Sequence, residues 1–212
     1  TYIKVYAFFV LVPILLARLI FKNTSTLKRY IGYASIISIY LFFIWNFHHI
    51  SPNHNFVQAF IRKQADFIHY AQFIGAGSLI DMQTLEPNIL SFVSATPMAI
   101  VNVLFRPFIW ECSSIMMYPA AIENFIIILL IIIMLFYFNK KDITKHLFLI
   151  SLFFCILFFI LVGIGTPVLG AIVRYKIIGY PFLFFALLTC INIEKIPYFK
   201  NKQYNSSSHK IF

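Results

Sequence analysis

The densest group of residues that could do chemistry lies between Leu104 and Glu111, where Arg106 and Glu111 flank aromatic side chains. A guanidinium can bind a phosphate through two parallel hydrogen bonds. Arg106 is therefore a candidate for binding the phosphate of a lipid-linked substrate, with Trp110 beside it, and Glu111 is a candidate acid or base. The alternative is structural: an Arg–Glu ion pair holds the loop, and Trp110 anchors it at the membrane surface.

Glu123 is the second candidate for catalysis, because it lies one turn inside a long apolar run, beside Asn124. An ionisable group at such a depth costs free energy unless it faces protein or water, so intramembrane carboxylates are functional candidates. The start of a helix also favours a carboxylate through the helix dipole, and that explanation is purely structural.

Arg174 and Lys176 are candidate substrate-binding residues that follow the Gly- and Pro-containing turn Gly165–Gly170. Both are expected on the extracytoplasmic side, where basic residues are scarce, so each requires a compensating anion. We predict that Arg174 faces the protein interior, within reach of Glu123, of Glu111 or of a substrate phosphate.

The remaining patterns predict no metal site and no cofactor. The histidines near residue 50 lack a fixed spacing with carboxylates. The three cysteines show no paired spacing, so neither a disulfide framework nor a cysteine-based metal site is expected.

Helices in a lipid bilayer must position these candidates. Five apolar runs each have roughly the 17–25 residues that a helix needs to cross a bilayer. The runs are Val5–Phe21, Tyr30–Phe47, Ile122–Phe138, His146–Gly165 and Ile177–Ile193. Only 11% of the residues are charged, against about 25% in soluble domains. The sequence predicts an all-α, polytopic integral membrane protein with about five transmembrane helices.

The charges between the runs predict the topology. Lys and Arg are concentrated after the first run, near residues 140–145 and in the tail, whereas the long segment between the second and third runs is slightly acidic. Basic segments face the cytoplasm, so the prediction is a multi-pass protein of the bacterial inner membrane. Its parts are two transmembrane helices in 1–47, an extracytoplasmic loop in 48–121, three transmembrane helices in 122–193, and a basic cytoplasmic tail in 194–212.

The formal net charge of +10 does not predict a nucleic-acid partner. The basic residues lie at the ends of apolar runs, where they set topology and meet anionic lipid headgroups. Nucleic-acid binding would instead require a basic groove or patch that follows a phosphate backbone.

The long loop contains two segments with helical patterns. Apolar residues recur at helical spacing through 54–73, which predicts an amphipathic helix that either lies in the membrane plane or packs on the spans. Ile89–Phe105 is apolar enough to resemble a sixth span, but polar residues interrupt it, and a crossing there would break the charge rule. We predict an interfacial or re-entrant helix.

Several short motifs resemble the C-terminal part of bacterial polytopic proteins of cell-surface polysaccharide assembly, a group that includes O-antigen-polymerase-like and lipid-linked-sugar glycosyltransferase-like proteins. The motifs are Leu104–Glu111, Ala120–Asn124, Gly165-Thr166, Val173–Lys176 and Tyr180–Phe182. The resemblance implies an undecaprenyl-phosphate-linked sugar and glycosyl transfer on the outer face. It also implies that the substrate lies near Arg106, Glu111, Glu123, Arg174 and Lys176.

The chain departs from this group in one respect: no Asp-Asp or Asp-Glu pair occurs in an early outer loop, as lipid-sugar transferases usually have. Since the sequence begins at Thr1 rather than Met, we expect an additional N-terminal transmembrane portion or other envelope-assembly proteins as partners. The expected function is a membrane component of envelope glycan assembly. A transporter or flippase-like subunit and a non-catalytic scaffold are the alternatives, and the nearly apolar fourth and fifth runs disfavour an ion-coupled path.

Overall fold

The computed structural model describes residues 2–51, 53–112, 114–139, 143, 145–192 and 195, and this part of the chain is all helical. The helices are α1 (Tyr2–Ile20), α2 (Thr26–Ile50), α3 (Phe56–Phe73), α4 (Ile89–Leu104), α5 (Tyr118–Phe136), α6 (His146–Gly165), α7 (Leu169–Lys176) and α8 (Tyr180–Thr189). Two short 3₁₀ turns, Ile109–Glu111 and Ile115–Met117, precede α5. The described residues form isolated β-bridges but no strand, and the all-α prediction is confirmed.

Three helices are long and apolar enough to cross a membrane, namely α2, α6 and the stretch Ile115–Phe136 that includes α5. A fourth crossing results if α7 and α8, which meet at 65°, form one broken span. These helices have the length and composition of the spans of a multi-pass membrane protein. The first predicted run, Val5–Phe21, forms an apolar helix over Val5–Ile20 that is shorter than these three.

The predicted boundaries of the last span, Ile177–Ile193, are wrong. A helix already begins at Leu169, breaks over residues 177–179 and resumes at Tyr180. Pro181 explains the break, because its ring has no N–H to donate and would clash with the carbonyl four residues earlier in a continuous helix. Lys176 consequently lies within the broken pair, at the bend, rather than in front of a straight span.

Helix α6 lies at the centre of the bundle. Of the residues in its most apolar stretch, 61% are buried, against 17% in α2 and 22% in Ile115–Phe136. Helices α1, α4 and α8 pack around it. Helix α4 approaches most closely, because a Cβ at Gly163 would overlap the backbone of Ala99. The segment Ile89–Phe105 is thus a helix that packs on α6.

Helix α4 has clear sequence signals at both ends. Asn88 caps its first turn, with the Oδ1 atom accepting a hydrogen bond of 2.6 Å from the Ser91 N–H. The helix ends at Leu104, just before Arg106 and Pro107, because a proline disfavours helical geometry at the residue before it. The loop that follows is where the candidate residues Arg106 and Glu111 lie.

Helix α3 packs against α2 and α6, as in the second of the two arrangements expected for 54–73. The buried Gln64 makes the connection through both ends of its amide. Its Nε2 donates to the Ile164 carbonyl at the end of α6 (2.9 Å), and its Oε1 accepts from the Leu85 N–H (3.0 Å). These bonds satisfy a helix-end carbonyl that has no partner within its own helix.

At the opposite end of α6, His146 connects the helix to the α1–α2 turn. One ring nitrogen lies 3.2 Å from the Tyr33 hydroxyl and the other lies 3.1 Å from the Lys22 carbonyl.

The basic connection predicted between the third and fourth runs consists mainly of Lys140, Lys141 and Asp142, and these residues lie outside the described part of the chain. So does the predicted tail 194–212, apart from Lys195.

Candidate functional site

Arg106 and Glu111 form an ion pair in the loop between α4 and α5. The Arg106 Nη2 atom lies 2.8 Å from Glu111 Oε1, and Arg106 Nε donates to both carboxylate oxygens, at 2.9 and 3.1 Å. Glu111 Oε2 also accepts the Phe108 N–H at 3.0 Å, which closes the turn. The Arg–Glu pair predicted as the structural alternative is present.

The surroundings of Glu111 favour its ionised form. Partial burial acts to raise the pKa of the carboxyl, but the hydrogen bonds from Arg106 and the Phe108 N–H and the positive charge of Arg106 together lower it below its usual value. A general acid at neutral pH needs a raised pKa. Glu111 in this arrangement is therefore a carboxylate that orients Arg106, and its catalytic role remains a prediction.

Asn102 connects the ion pair to the buried part of the cluster. Its Oδ1 atom accepts a hydrogen bond of 3.3 Å from Arg106 Nη1, and its side chain is fully buried on α4. Within the described part of the chain, one buried side-chain nitrogen or oxygen lacks a hydrogen-bond partner, and it is the Nδ2 atom of Asn102. A buried donor without an acceptor costs about 1–3 kcal/mol.

Lys176 is fully buried at the break between α7 and α8. Its Nζ atom donates to Asn124 Oδ1 on α5 at 2.5 Å and to the Val103 carbonyl on α4 at 3.3 Å. Both acceptors are neutral. Lys176 thus holds three helices together without contacting a carboxylate.

Asn124 extends this connection to the loop that contains Arg106. Its Nδ2 atom donates to the carbonyl of Phe105 (3.3 Å) and to that of Pro107 (3.1 Å), while its Oδ1 accepts from Lys176. The polar cluster is defined here as Asn102, Arg106, Glu111, Asn124 and Lys176. Its members come from α4, the following loop, α5 and α7.

Glu123 lies next to this polar cluster but on the exposed side of α5. Its Oε2 atom accepts a hydrogen bond of 3.3 Å from the Tyr180 hydroxyl at the start of α8. The Lys176 ammonium lies 5.7 Å from the centre of the Tyr180 ring. Glu123 is therefore close to the buried lysine without forming an ion pair with it.

The prediction that Arg174 faces the interior, within reach of Glu123 or Glu111, is wrong. Arg174 is exposed, and its guanidinium lies 5.8 Å from the ring centre of the neighbouring Tyr175. Successive helical residues are about 100° apart, so residues 174 and 176 point to nearly opposite sides of α7. Only one of these two cations can face the interior, and that one is Lys176.

Trp110 also lies outside the polar cluster. Its indole is 80% exposed and stacks on the ring of Phe108, with ring centres 4.7 Å apart. The side chain is therefore part of an exposed apolar edge just before α5. Roles for Trp110 and Arg174 in substrate binding stay predictions.

Around Asn102 and Lys176 the hydrogen-bond donors outnumber the acceptors that contact them, an arrangement that one more acceptor, such as an anionic oxygen, would complete. Sequence reasoning missed Asn102 and Asn124 as members of the polar cluster. The only signal for Asn102 was a polar residue within an apolar run, which was interpreted as an interruption. The described residues contain no group of three His, Cys, Asp or Glu side chains placed to hold a metal ion.

No protein-family model, curated protein or solved structure matches this chain. The resemblance to polysaccharide-assembly proteins therefore stays a prediction, and function has to be argued from the polar cluster itself.

Proposed function

We propose that the chain is a membrane component of bacterial envelope glycan assembly. It takes part in glycosyl transfer or polymerisation with a polyprenyl-phosphate-linked sugar on the outer face of the inner membrane. The observation that carries this proposal is Lys176, a fully buried cation at a break between two membrane helices, with only neutral hydrogen-bond acceptors.

Such a lysine is costly for a purely structural purpose. Burying an ammonium carries a penalty of several kcal/mol unless an anion compensates it, and membrane proteins retain ionisable groups mainly where they meet substrates or ions. Arg106 stands at the entrance of the same cluster with its side chain 26% exposed. A substrate with a lipid tail and a phosphate group matches both the membrane setting and the excess of donors.

The topology that accompanies this function has five spans. They are α1, α2, α5, α6 and the broken pair α7/α8, with the first described residue outside and the C-terminus in the cytoplasm. Segment 48–121 is then extracytoplasmic, with α3 and α4 at the outer membrane interface. This topology places Arg106, Glu111 and Lys176 near the outer surface, where a lipid-linked sugar is transferred.

Cysteine accessibility tests this topology. In a variant without the three native cysteines, a cysteine introduced at Gln83 should react with a membrane-impermeant reagent from outside intact cells. A cysteine at Asp142 should react only after the cells are opened. Reaction at position 142 from outside, or protection of position 83 until opening, would reverse the assignment of the faces.

A transporter or flippase-like function is the second candidate, and the α7/α8 break favours it. Transporters bind substrates at discontinuous helices, and the 65° bend with Lys176 beside it is such a feature. The apolar character of the last two runs, which disfavours an ion-coupled path, is thus offset by a break that the sequence pattern did not reveal.

A deletion strain tests the proposed function and separates it from the alternative. Loss of the chain should shorten or remove a surface glycan, and the wild-type gene should restore it. In the glycosyl-transfer account, the unused lipid-linked sugar accumulates on the outer leaflet, where added hydrolases reach it in intact cells. Accumulation on the inner leaflet would favour the flippase, and unchanged glycan and lipid-linked pools would reject both.

A further inference from the structure

We infer that Asn102 and Lys176 together form a buried subsite for one anionic phosphate oxygen, with Asn102 as a ligand-facing donor. The inference rests on the proposed function, because it names the ligand chemistry of the same polar cluster. The phosphate group belongs either to a lipid or to a free phosphate ion, and the experiment below distinguishes these sources.

The first step is the balance of donors and acceptors. An ammonium group carries three N–H donors and a primary amide carries two. Two acceptors contact the Lys176 Nζ, namely Asn124 Oδ1 and the Val103 carbonyl. The Asn102 Nδ2 has no acceptor among the described residues. A single additional oxygen with several lone pairs can serve both groups.

The second step is the orientation of the Asn102 amide. Its Oδ1 atom accepts from Arg106 Nη1. Turning the amide over would place its NH₂ group against the guanidinium, donor against donor, so the contact with Arg106 determines the orientation. The NH₂ group therefore faces away from Arg106, on a side chain with no exposed surface.

The third step is proximity and charge. Asn102 immediately precedes Val103, whose carbonyl accepts from Lys176, so the Lys176 ammonium lies against the end of α4 that carries Asn102. The acceptors that contact Lys176 are neutral, and the nearby Glu123 carboxylate binds Tyr180 rather than the ammonium, so no anion contacts Lys176 directly. An anionic oxygen supplies both the missing acceptor and the missing charge. A phosphate adds further oxygens, which would pair with Arg106, whose side chain is 26% exposed.

The test substitutes Asn102→Asp in the full chain, purified in nanodiscs of a zwitterionic lipid. A carboxylate at this position accepts hydrogen bonds from Arg106 and Lys176 and repels an incoming anion. The unfolding temperature without added phosphate should therefore rise. Inorganic phosphate at constant ionic strength, or polyprenyl monophosphate in the nanodisc, should stabilise the wild type, and Asn102→Asp should weaken apparent binding at least about tenfold.

Asn55→Asp is the matched control, because Asn55 caps α3 through its Oδ1 atom and an aspartate caps equally well. This variant should keep the wild-type phosphate response. If Asn102→Asp fails to fold, Asn102→Leu serves instead, since it removes the unpartnered donor and should abolish the response while retaining the fold.

A response to both phosphate forms, lost in the Asn102 variant, supports a subsite for the phosphate group itself. A response to polyprenyl monophosphate alone assigns the oxygen to a lipid. A wild type that responds to neither form, or an Asn102→Asp response equal to that of Asn55→Asp, overturns the subsite. If the subsite responds but deletion leaves the surface glycan unchanged, the proposed function fails and the subsite stands.

Discussion

Replacing Lys176 by Met should strongly reduce glycan assembly while leaving the amount of protein in the membrane unchanged. The substitution removes the buried cation but keeps an unbranched side chain of similar length. Loss of a charge-assisted hydrogen bond to a substrate phosphate costs about 1.5–3 kcal/mol, which corresponds to about a tenfold to 150-fold loss of affinity. The measurement is surface glycan in a deletion strain that expresses the variant.

The stability of Lys176→Met separates a functional lysine from a structural one. The variant leaves Asn124 Oδ1 without its donor, but it also removes an uncompensated buried charge. Because these effects oppose each other, the free energy of unfolding should stay within about 2 kcal/mol of the wild type. Arg62→Met is the control, since it removes an exposed positive charge from α3 and should leave the glycan unchanged. Parallel loss of protein and glycan in Lys176→Met would instead indicate a structural lysine.

Gly163→Ala should destabilise the protein by about 2–3 kcal/mol, the upper range for overpacking a core. The added Cβ overlaps the backbone of Ala99, and a backbone cannot move aside as the tip of a flexible side chain can. The only relief is to separate α4 from α6, which also displaces Val103 and the polar cluster. Thermal or denaturant unfolding of the purified protein measures the effect.

Gly170→Ala is the matched control for this prediction. Gly170 also lies in a helix, but it is exposed and a Cβ there would meet nothing within 4 Å. Helix propensity alone favours Ala over Gly by about 0.5–1 kcal/mol at both positions. The Gly170 variant should therefore be neutral or slightly stabilised. Equal behaviour of the two variants would mean that α4 and α6 do not pack as closely as described.

The sequence predicted the helices whose boundaries are set by hydrophobicity. The run His146–Gly165 carries no Asp, Glu, Lys or Arg, and α6 has the same bounds. Helix α2 (Thr26–Ile50) contains the whole predicted run Tyr30–Phe47, and α5 (Tyr118–Phe136) contains all but the last two residues of Ile122–Phe138. Uninterrupted apolar length is a property of the local sequence, so it can be interpreted without knowledge of the neighbouring helices.

The candidate site was predictable only in part, because burial depends on helix phase and on packing partners. The Arg106–Glu111 pair is local and was recognisable from its spacing. To tell which of Arg174 and Lys176 is buried, one must know that α7 begins at Leu169. That start determines where the bend lies and which face of α7 is buried. Asn102 contacts Arg106 four positions later, and the carbonyl of the next residue, Val103, accepts from Lys176, 73 positions later in the chain. No periodic pattern encodes the second contact.

The most direct test of the central claim is the amount of polyprenyl-phosphate-linked glycan in cells that lack the chain, measured by mass spectrometry of extracted lipids. We predict that this pool rises in the deletion strain, falls to its original level with the wild-type gene, and stays high with Lys176→Met despite normal protein content. A pool that is unchanged by deletion, or restored fully by Lys176→Met, would contradict a role for the buried lysine in envelope glycan assembly.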